Sequence, residues 1–279
     1  MTSRVTSSPP GSQGASTICL QVLTCGSLLA YLGTMGGCPV QAAEANKPLL
    51  VGAASSLREP LKTLAPSFAA DQKVAPTFHF AASGVLQQQI QKGAPIDVFV
   101  SAGNRQMDRL EKAGLLLSGS RRVIAGNQLV LVVPSRSPLH SLRFQGLASM
   151  AIRRIAIGDA SVPAGDYGRQ TLAYYGLSEV VKAKLVPLGS VRAVANAVAA
   201  GHVDAGIVYI SDAHNGPNLR IVAGAPEASH APIRYSAAVT TASRQKKLAS
   251  AYLDSLTTAQ ANQQFRRYGL LPLPAAAKR

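Results

Sequence analysis

Apolar runs alternate with helix-like patterns along most of this chain. From Pro48 onward, short continuous apolar runs are followed by stretches in which apolar residues recur every three or four positions. The first pattern indicates buried strands and the second indicates amphipathic helices. Strands are predicted at residues 49–54, 77–81, 97–101, 129–133, 154–157, 185–187, 205–209 and 219–222.

The order of these elements predicts the fold class. Strand–helix alternation is typical of an α/β fold with largely parallel sheets that are covered on both faces. A break near residues 120–128 predicts the end of a first lobe, and a second lobe would run to about Tyr235. Helices are predicted to end near residues 70 and 92, and to lie near residues 107–113, 165–176, 178–183, 191–200 and 244–268.

The amino-terminal residues have the composition of an export signal. Residues 1–42 contain one charged residue, Arg4, and no acidic residue. A polar start, an apolar run at residues 20–35 and small residues at 40–42 predict a signal peptide, with the mature chain beginning near Ala43. A membrane-spanning helix is the alternative, but polar and glycine residues interrupt a run already marginal against the ~20 apolar residues that a span needs.

Cysteine usage agrees with export. The three cysteines are Cys19, Cys25 and Cys38, and all lie in this leader, so the mature chain needs no disulfide. Residues 35–38 loosely resemble a bacterial lipoprotein cleavage box, which leaves lipid anchoring at Cys38 as an alternative to a free periplasmic protein.

The charge of the chain favours anionic partners. The sequence has 28 Lys and Arg against 13 Asp and Glu, and removal of Arg4 with the leader leaves 27 against 13, a net charge of +14. Such an excess attracts nucleic acid, anionic membranes or anionic ligands. The basic residues are dispersed, Trp is absent and no nucleic-acid motif is present, so no nucleic-acid partner is expected.

Small polar residues lie where the predicted strands end and the next helices begin. Ser56, with Glu59 three residues later, has the spacing of a capping box, and Ser83 begins the next predicted helix. Residues 159–165 and 189–191 lead into two further helices. Free N–H groups and the helix dipole make each start a potential anion site. One such start usually caps only its own helix, but several at the carboxyl ends of parallel strands indicate a ligand site.

Sequence blocks spread over roughly residues 48–271 carry a more specific resemblance. The blocks are residues 54–57 (Ala-Ser-Ser-Leu), 82–86 with Gln89 and Ile90, 93–102, 162–167, 206–213 and 267–269. In content, order and spacing they resemble the bacterial periplasmic molybdate-binding proteins, the capture component of an ATP-driven molybdate importer. Ala82 departs from this pattern, because relatives often have another serine there.

The resemblance implies an architecture and a set of partners. It implies a periplasmic-binding-protein-like fold of two α/β lobes with mixed, mainly parallel sheets and a ligand cleft between them. Lobe 1 would comprise residues 43–125 and 236–279, and lobe 2 residues 126–235. The partners would be a small oxyanion and the membrane permease of an ABC importer, and the protein would be a monomer without a cofactor.

The resemblance also implies which residues hold molybdate. Ser56 and Ser83 would donate through hydroxyl and backbone N–H groups, Ala164 and Val191 through backbone N–H groups, and Tyr209 through its phenol; whether Ser55 shares the work of Ser56 is left open. This set agrees with elementary chemistry, because an ionised oxyanion offers only acceptors and its site should present only donors.

Other binding groups and functions were weighed against this interpretation. Asp97 and Asp212 are expected to bond backbone groups, because a carboxylate repels an anion. The histidines show no metal-ligand spacing, so no free metal cation is expected. Tungstate, sulfate or thiosulfate are alternative ligands. A serine-dependent enzyme lacks a Gly-x-Ser-x-Gly elbow here, and a basic surface adhesin does not fit the dispersed charge.

Overall fold

The computed structural model describes residues 47–216 and 218–272 of the chain. Two five-stranded sheets form their framework. The strands are β1 (Leu49–Ala54), β2 (Pro76–Ala81), β3 (Val98–Ser101), β4 (Arg122–Gly126), β5 (Leu129–Pro134), β6 (Ile155–Gly158), β7 (Leu185–Leu188), β8 (Ala205–Tyr209), β9 (Leu219–Gly224) and β10 (Arg234–Val239). The helices are α1 (Arg58–Gln72), α2 (Ser83–Gln91), α3 (Asn104–Lys112), α4 (Pro163–Tyr174), α5 (Val191–Ala199), α6 (Ile210–Asn215), α7 (Lys246–Ser255) and α8 (Ala259–Arg267).

The two sheets are mixed and define two lobes. The first has the strand order β2-β1-β3-β10-β4 and the second β7-β6-β8-β5-β9. In each sheet two strand pairings are parallel and two are antiparallel. The chain passes from the first sheet to the second between β4 and β5, and returns between β9 and β10. The two-lobed α/β fold predicted from the sequence is therefore confirmed. The exact lobe boundaries stay a prediction, which this sheet membership supports.

Most predicted strands are confirmed to within one or two residues, and two strands, β4 and β10, were missed. The break expected at residues 120–128 contains β4, which pairs antiparallel with β10 through Tyr235 opposite Ala125 and Arg234 opposite Gly126. Its partner is supplied by a segment more than one hundred residues away, so local pattern does not reveal it.

Two helix predictions were wrong in detail. In place of the helix predicted at residues 178–183, residues 178–181 form turns and are followed by a short 3-10 helix at Lys182–Lys184. The predicted helix at residues 244–268 is broken into α7 and α8, because the Thr258 side chain accepts a hydrogen bond from the backbone N–H of Ala261 and starts a new helix.

Continuous apolar strands form the core. All residues of β5 from Leu129 to Val133 are buried, as are all four residues of β3. Strands that are apolar on both faces belong between two layers, and here helices cover both sheets. Among the residues that the structure describes, no helix is long and apolar enough to cross a membrane. The predicted signal peptide and Cys38 lie outside those residues.

Close backbone packing fixes the start of α4 against the end of β6. A Cβ atom on Gly165 would lie 2.0 Å from the carbonyl oxygen of Gly158. Only glycine lets the helix approach this near. The contact determines where the first N–H groups of α4, including that of Ala164, lie in the second lobe.

The substitution Gly165→Ala should destabilise the second lobe. The added methyl group must push α4 away from β6, and overpacking of this kind costs about 1–3 kcal/mol. Thermal unfolding should show Tm lowered by about 2–4 °C per kcal/mol. Gly189→Ala is the control, because the nearest atom to its Cβ would be the Asp159 carboxylate at an ordinary 3.8 Å. Equal Tm values for the two variants would contradict the packing argument.

Candidate functional site

The predicted site residues lie where the two lobes meet. Ser56 is in the 3-10 turn Ser55–Leu57 that follows β1, and Ser83 is the first residue of α2 after β2. Ala164 is the second residue of α4 after β6, and Val191 is the first residue of α5 after β7. All four positions follow the carboxyl ends of parallel strands, as the sequence indicated.

Contacts between the lobes bring these helix starts together. The backbone N–H of Gly84, next to Ser83, donates to the carbonyl of Ser161 at 2.9 Å, just before α4. A Cβ on Gly84 would lie 2.6 Å from that same oxygen, so the two backbones are in direct contact. Ser83 and Ala164 are both 0% exposed. The hypothesis that these two residues lie in a shared cleft is therefore consistent with their positions.

On the other flank of the site, an ion pair spans the lobes. Arg192, adjacent to Val191, lies 3.2 Å from the carboxylate of Glu59 in the first turn of α1. At the rim near α4, the guanidinium of Arg105 lies 2.5 Å from Asp166. Burial raises the pKa of Asp166, and Arg105 and Arg169 offset part of that rise. Because their side chains are partly exposed, these pairs contribute little stability, about 0–1 kcal/mol each.

Ser83 and Tyr209 are linked through the backbone of Ala102. The N–H of Ala102 donates to Ser83 Oγ at 3.0 Å, and the Tyr209 hydroxyl donates to the Ala102 carbonyl at 3.0 Å. Tyr209 is 1% exposed, and burial raises the pKa of its phenol well above 10. The phenol therefore keeps its proton. Donation to an anion requires the O–H bond to turn away from Ala102, so this role of Tyr209 stays a prediction.

The capping box predicted at Ser56 was wrong. Helix α1 begins at Arg58, after Leu57, and no side chain in residues 47–216 and 218–272 caps it. Ser56 Oγ lies 3.1 Å from the Tyr235 hydroxyl instead, and Glu59 pairs with Arg192. The side chain of Ser56 is thus not used by its own helix.

The other helix starts retain free donors. The first four N–H groups of a helix have no partner within it. In α5, Ser190 Oγ accepts the N–H of Ala193 at 3.1 Å, which leaves the N–H of Val191 outside that cap. In α2, none of the side chains that the structure describes caps the helix, and Ser83 Oγ accepts from Ala102 rather than from its own helix. These N–H groups can bind an anion together with the helix dipoles.

Two polar residues that sequence analysis missed lie beside Ser56. Asn127 follows β4 and Tyr235 belongs to β10, and their side chains are joined by a 3.0 Å hydrogen bond. The rings of Tyr209 and Tyr235 are 5.7 Å apart. In the sequence, Asn127 marks only the break near residues 120–128 and Tyr235 only the end of the second lobe, so no local pattern indicated either.

The two aspartates differ from each other. Asp97 accepts the backbone N–H of Leu50 at 2.9 Å, as expected. The Oδ2 atom of Asp212 is buried with no hydrogen-bond partner in the described part of the chain, so the backbone bond expected for it is not formed. Asp212 and Ser56 line a cavity of about 60 Å³. Burial raises the pKa of Asp212 to about 7, an effect that Arg192 partly opposes.

No metal centre is evident within residues 47–216 and 218–272. In those ranges there is no group of three or more His, Cys, Asp and Glu side chains that could hold an ion. What the site offers is a set of hydroxyl and backbone donors around buried space, which suits an anion rather than a cation.

Comparison with known proteins identifies relatives over nearly the whole described chain. The family model described as bacterial extracellular solute-binding protein matches residues 49–271. The molybdate-binding protein ModA of Escherichia coli is 32% identical over 226 residues, covering 79% of this chain and 88% of that protein. ModA of Haemophilus influenzae is 32% identical over 200 residues, covering 70% and 79% respectively.

A solved structure agrees with these sequence matches. The periplasmic molybdate-binding protein of Azotobacter vinelandii superposes with a TM-score of 0.72 at 27% identity, covering 81% of this chain and 99% of that one. The fold therefore belongs to a known architecture.

Stability should depend on pH through Asp212. Because burial raises its pKa from 3.8 to about 7, the folded protein holds a proton that the unfolded chain releases, and stability falls as pH rises from about 4 to about 7. Asp212→Asn removes this dependence. At pH 8 we expect the variant to gain ~1 kcal/mol or more over the unsubstituted protein, about 2–4 °C in Tm for each kcal/mol, with a smaller difference at pH 5.

Thermal unfolding between pH 5 and pH 8 measures this effect. Asp254→Asn is the control, because Asp254 is exposed and its removal should leave the profile parallel to that of the unsubstituted protein. A pH-independent gap between Asp212→Asn and the unsubstituted protein would show that Asp212 does not titrate in this range.

Proposed function

This chain belongs to the family of bacterial extracellular solute-binding proteins, and we propose that it captures molybdate outside the cytoplasmic membrane and delivers it to an ABC-type importer. The observation that carries the proposal is the convergence of donor groups from both lobes: Ser83 and Ala164 are buried, and their neighbours Gly84 and Ser161 are bonded across the lobes. The ligand named for the relatives, molybdate, has the chemistry that such a site requires.

The proposed ligand-binding residues are Ser56, Ser83, Ala164, Val191 and Tyr209. They supply hydroxyl and backbone N–H donors and no formal charge, so hydrogen bonds and helix dipoles would balance the charge of the anion. A hydrogen bond to a charged group contributes ~1.5–3 kcal/mol. About seven such bonds exceed the ~12 kcal/mol of a nanomolar complex, which leaves room for the free-energy cost of closing the cleft.

The finer parts of the proposal follow from the same chemistry. Tungstate has nearly the size and shape of molybdate and should bind as well. The protein would work as a periplasmic monomer that hands its anion to the permease, without catalysis and without a cofactor. Anchoring through a lipid at Cys38 is the alternative to a free protein, and N-terminal analysis of the exported chain decides between them.

Removal of the Ser83 hydroxyl should weaken molybdate binding strongly. Ser83→Ala deletes a buried donor to the anion, and we expect about a 10- to 100-fold increase in Kd. Isothermal titration of the mature protein with molybdate measures it. The control is Ser161→Ala, since the Ser161 hydroxyl bonds Asp159 at 2.7 Å and is outside the proposed donor set. Unchanged affinity in Ser83→Ala would exclude the Ser83 hydroxyl as a donor to the ligand.

The site should select oxyanions by size. Molybdate, tungstate and sulfate are all tetrahedral dianions near neutral pH, so charge does not separate them. A smaller anion cannot reach every fixed donor at ~2.7–3.2 Å. Each donor left unpaired costs ~1–3 kcal/mol, so two or three losses predict sulfate binding weaker by several orders of magnitude. Competition titrations test this; displacement of molybdate by equimolar sulfate would make sulfate the preferred candidate ligand.

A further inference from the structure

A chain of buried polar side chains connects the two crossovers to Ser56. The side-chain amide nitrogen of Asn127, on the crossover after β4, lies 2.8 Å from Ser211 Oγ and 3.0 Å from the Tyr235 hydroxyl. Tyr235, where the chain returns to the first sheet, lies 3.1 Å from Ser56 Oγ. Tyr235 is 0% and Asn127 7% exposed. This series of hydrogen bonds therefore runs through the interior of the protein, where each proton needs an acceptor.

The orientation of the Asn127 amide is determined by its neighbours. Its Oδ1 atom accepts the backbone N–H of Gln128 at 2.9 Å, a contact that an N–H donor cannot make if the amide is reversed. The Nδ2 group therefore faces Ser211 and Tyr235, and its two protons are both used. It follows that Asn127 donates to the Tyr235 oxygen.

The direction of the next bond follows from the single proton of Tyr235. Burial raises the pKa of this phenol well above 10, so the proton is present. In the described part of the chain, the hydroxyl has two hydrogen-bond neighbours, Asn127 and Ser56, and Asn127 is a donor. A buried O–H left without an acceptor is strongly unfavourable, because it has lost its bond to water and gained none. The Tyr235 proton is therefore directed to Ser56 Oγ.

We propose that Asn127 and Tyr235 are positioning residues, which occupy an acceptor lone pair of Ser56 and thereby turn its own proton into the cleft, where an oxyanion accepts it. The inference rests on the proposed function, and it deepens that function by explaining how a rotatable hydroxyl becomes a fixed donor. A serine hydroxyl can donate or accept, and only the donating orientation suits a ligand that has acceptors alone.

The Ser83 hydroxyl is also left free to donate its proton, but a different group accounts for this. Its Oγ accepts the N–H of Ala102 at 3.0 Å, which leaves its proton for another acceptor. The Oγ atoms of both serines thus accept a hydrogen bond from within the protein, Ser83 from a backbone amide and Ser56 from Tyr235. A backbone N–H can only donate a hydrogen bond, whereas a phenol can donate or accept one. The orientation of Ser56 therefore depends on Asn127, which sets the direction of all the hydrogen bonds in this series.

The position of these hydrogen bonds also makes the orientation of the Ser56 hydroxyl sensitive to the arrangement of both crossovers. Asn127 lies on one crossover and Tyr235 lies in β10, directly after the other crossover, while Ser211 belongs to α6 of the second lobe. A rearrangement of the lobes that separates Asn127 from Tyr235 would free the Tyr235 hydroxyl to reverse. Ser56 is then held as a donor only while the crossovers keep this arrangement.

The test is the substitution Tyr235→Phe, which removes the hydroxyl and keeps the ring. We expect molybdate affinity to fall about 5- to 30-fold, because the Ser56 hydroxyl regains its rotational freedom and loses its polarising partner. Tyr252→Phe is the matched control: the Tyr252 hydroxyl is also buried, but it has no hydrogen-bond partner among the described residues and lies outside the chain, so affinity should not change.

A double-mutant cycle separates positioning from a general structural effect. In a Ser56→Ala background, Tyr235→Phe should weaken molybdate binding less than about twofold, because the hydroxyl that it orients is gone. Thermal unfolding confirms that each variant is folded. An equal loss in both backgrounds, or no loss in Tyr235→Phe alone, would overturn the proposal.

Neutron diffraction of the unsubstituted protein tests the orientation independently of any ligand. A deuterium on the Tyr235 oxygen pointing to Ser56 Oγ supports the inference, and a deuterium on Ser56 pointing to Tyr235 overturns it. Should molybdate, tungstate and sulfate all fail to bind, the proposed function fails, and this measurement still decides the direction of the hydrogen bonds.

Discussion

The candidate site depends on the backbone of Ala102. Its N–H donates to Ser83 Oγ in the first lobe, and its carbonyl accepts a hydrogen bond from the Tyr209 hydroxyl of the second. A backbone group at the end of a central strand is fixed by the sheet, so it also fixes the side chains of Ser83 and Tyr209 that bond to it. Other cross-lobe contacts, among them those from Gly84 to Ser161 and from Arg192 to Glu59, then align helix starts around this point.

Sequence patterns predicted what is local and failed where partners are distant. Continuous apolar runs identified β1, β5 and β8 because burial on both faces leaves a local trace. Strand β4 has no such trace, since β10 supplies its pairing. The family resemblance indicated the helix starts, but the bond from Ser56 to Tyr235 spans 179 residues and replaced the capping box that local spacing suggested.

Buried polar groups account for most of the remaining surprises. The side-chain N–H and O–H protons of Asn127 and Tyr235 all have acceptors, whereas Asp212 has a buried oxygen with no hydrogen-bond partner among the described residues. A satisfied network holds side chains in one arrangement. The carboxyl of Asp212, which lines a cavity together with Ser56, instead responds to nearby charge and to pH. The surroundings of Ser56 therefore combine a rigid hydrogen-bond network with a titratable group.

The glycine at position 84 has a consequence for how affinity can evolve. Its missing side chain lets two backbones meet across the lobes, and any larger residue there would act as a wedge against Ser161. Observed affinity scales with the fraction of molecules in the competent, closed arrangement. Residue 84 can therefore adjust how tightly the protein holds its ligand, and how readily it gives it up, without altering a single ligand contact.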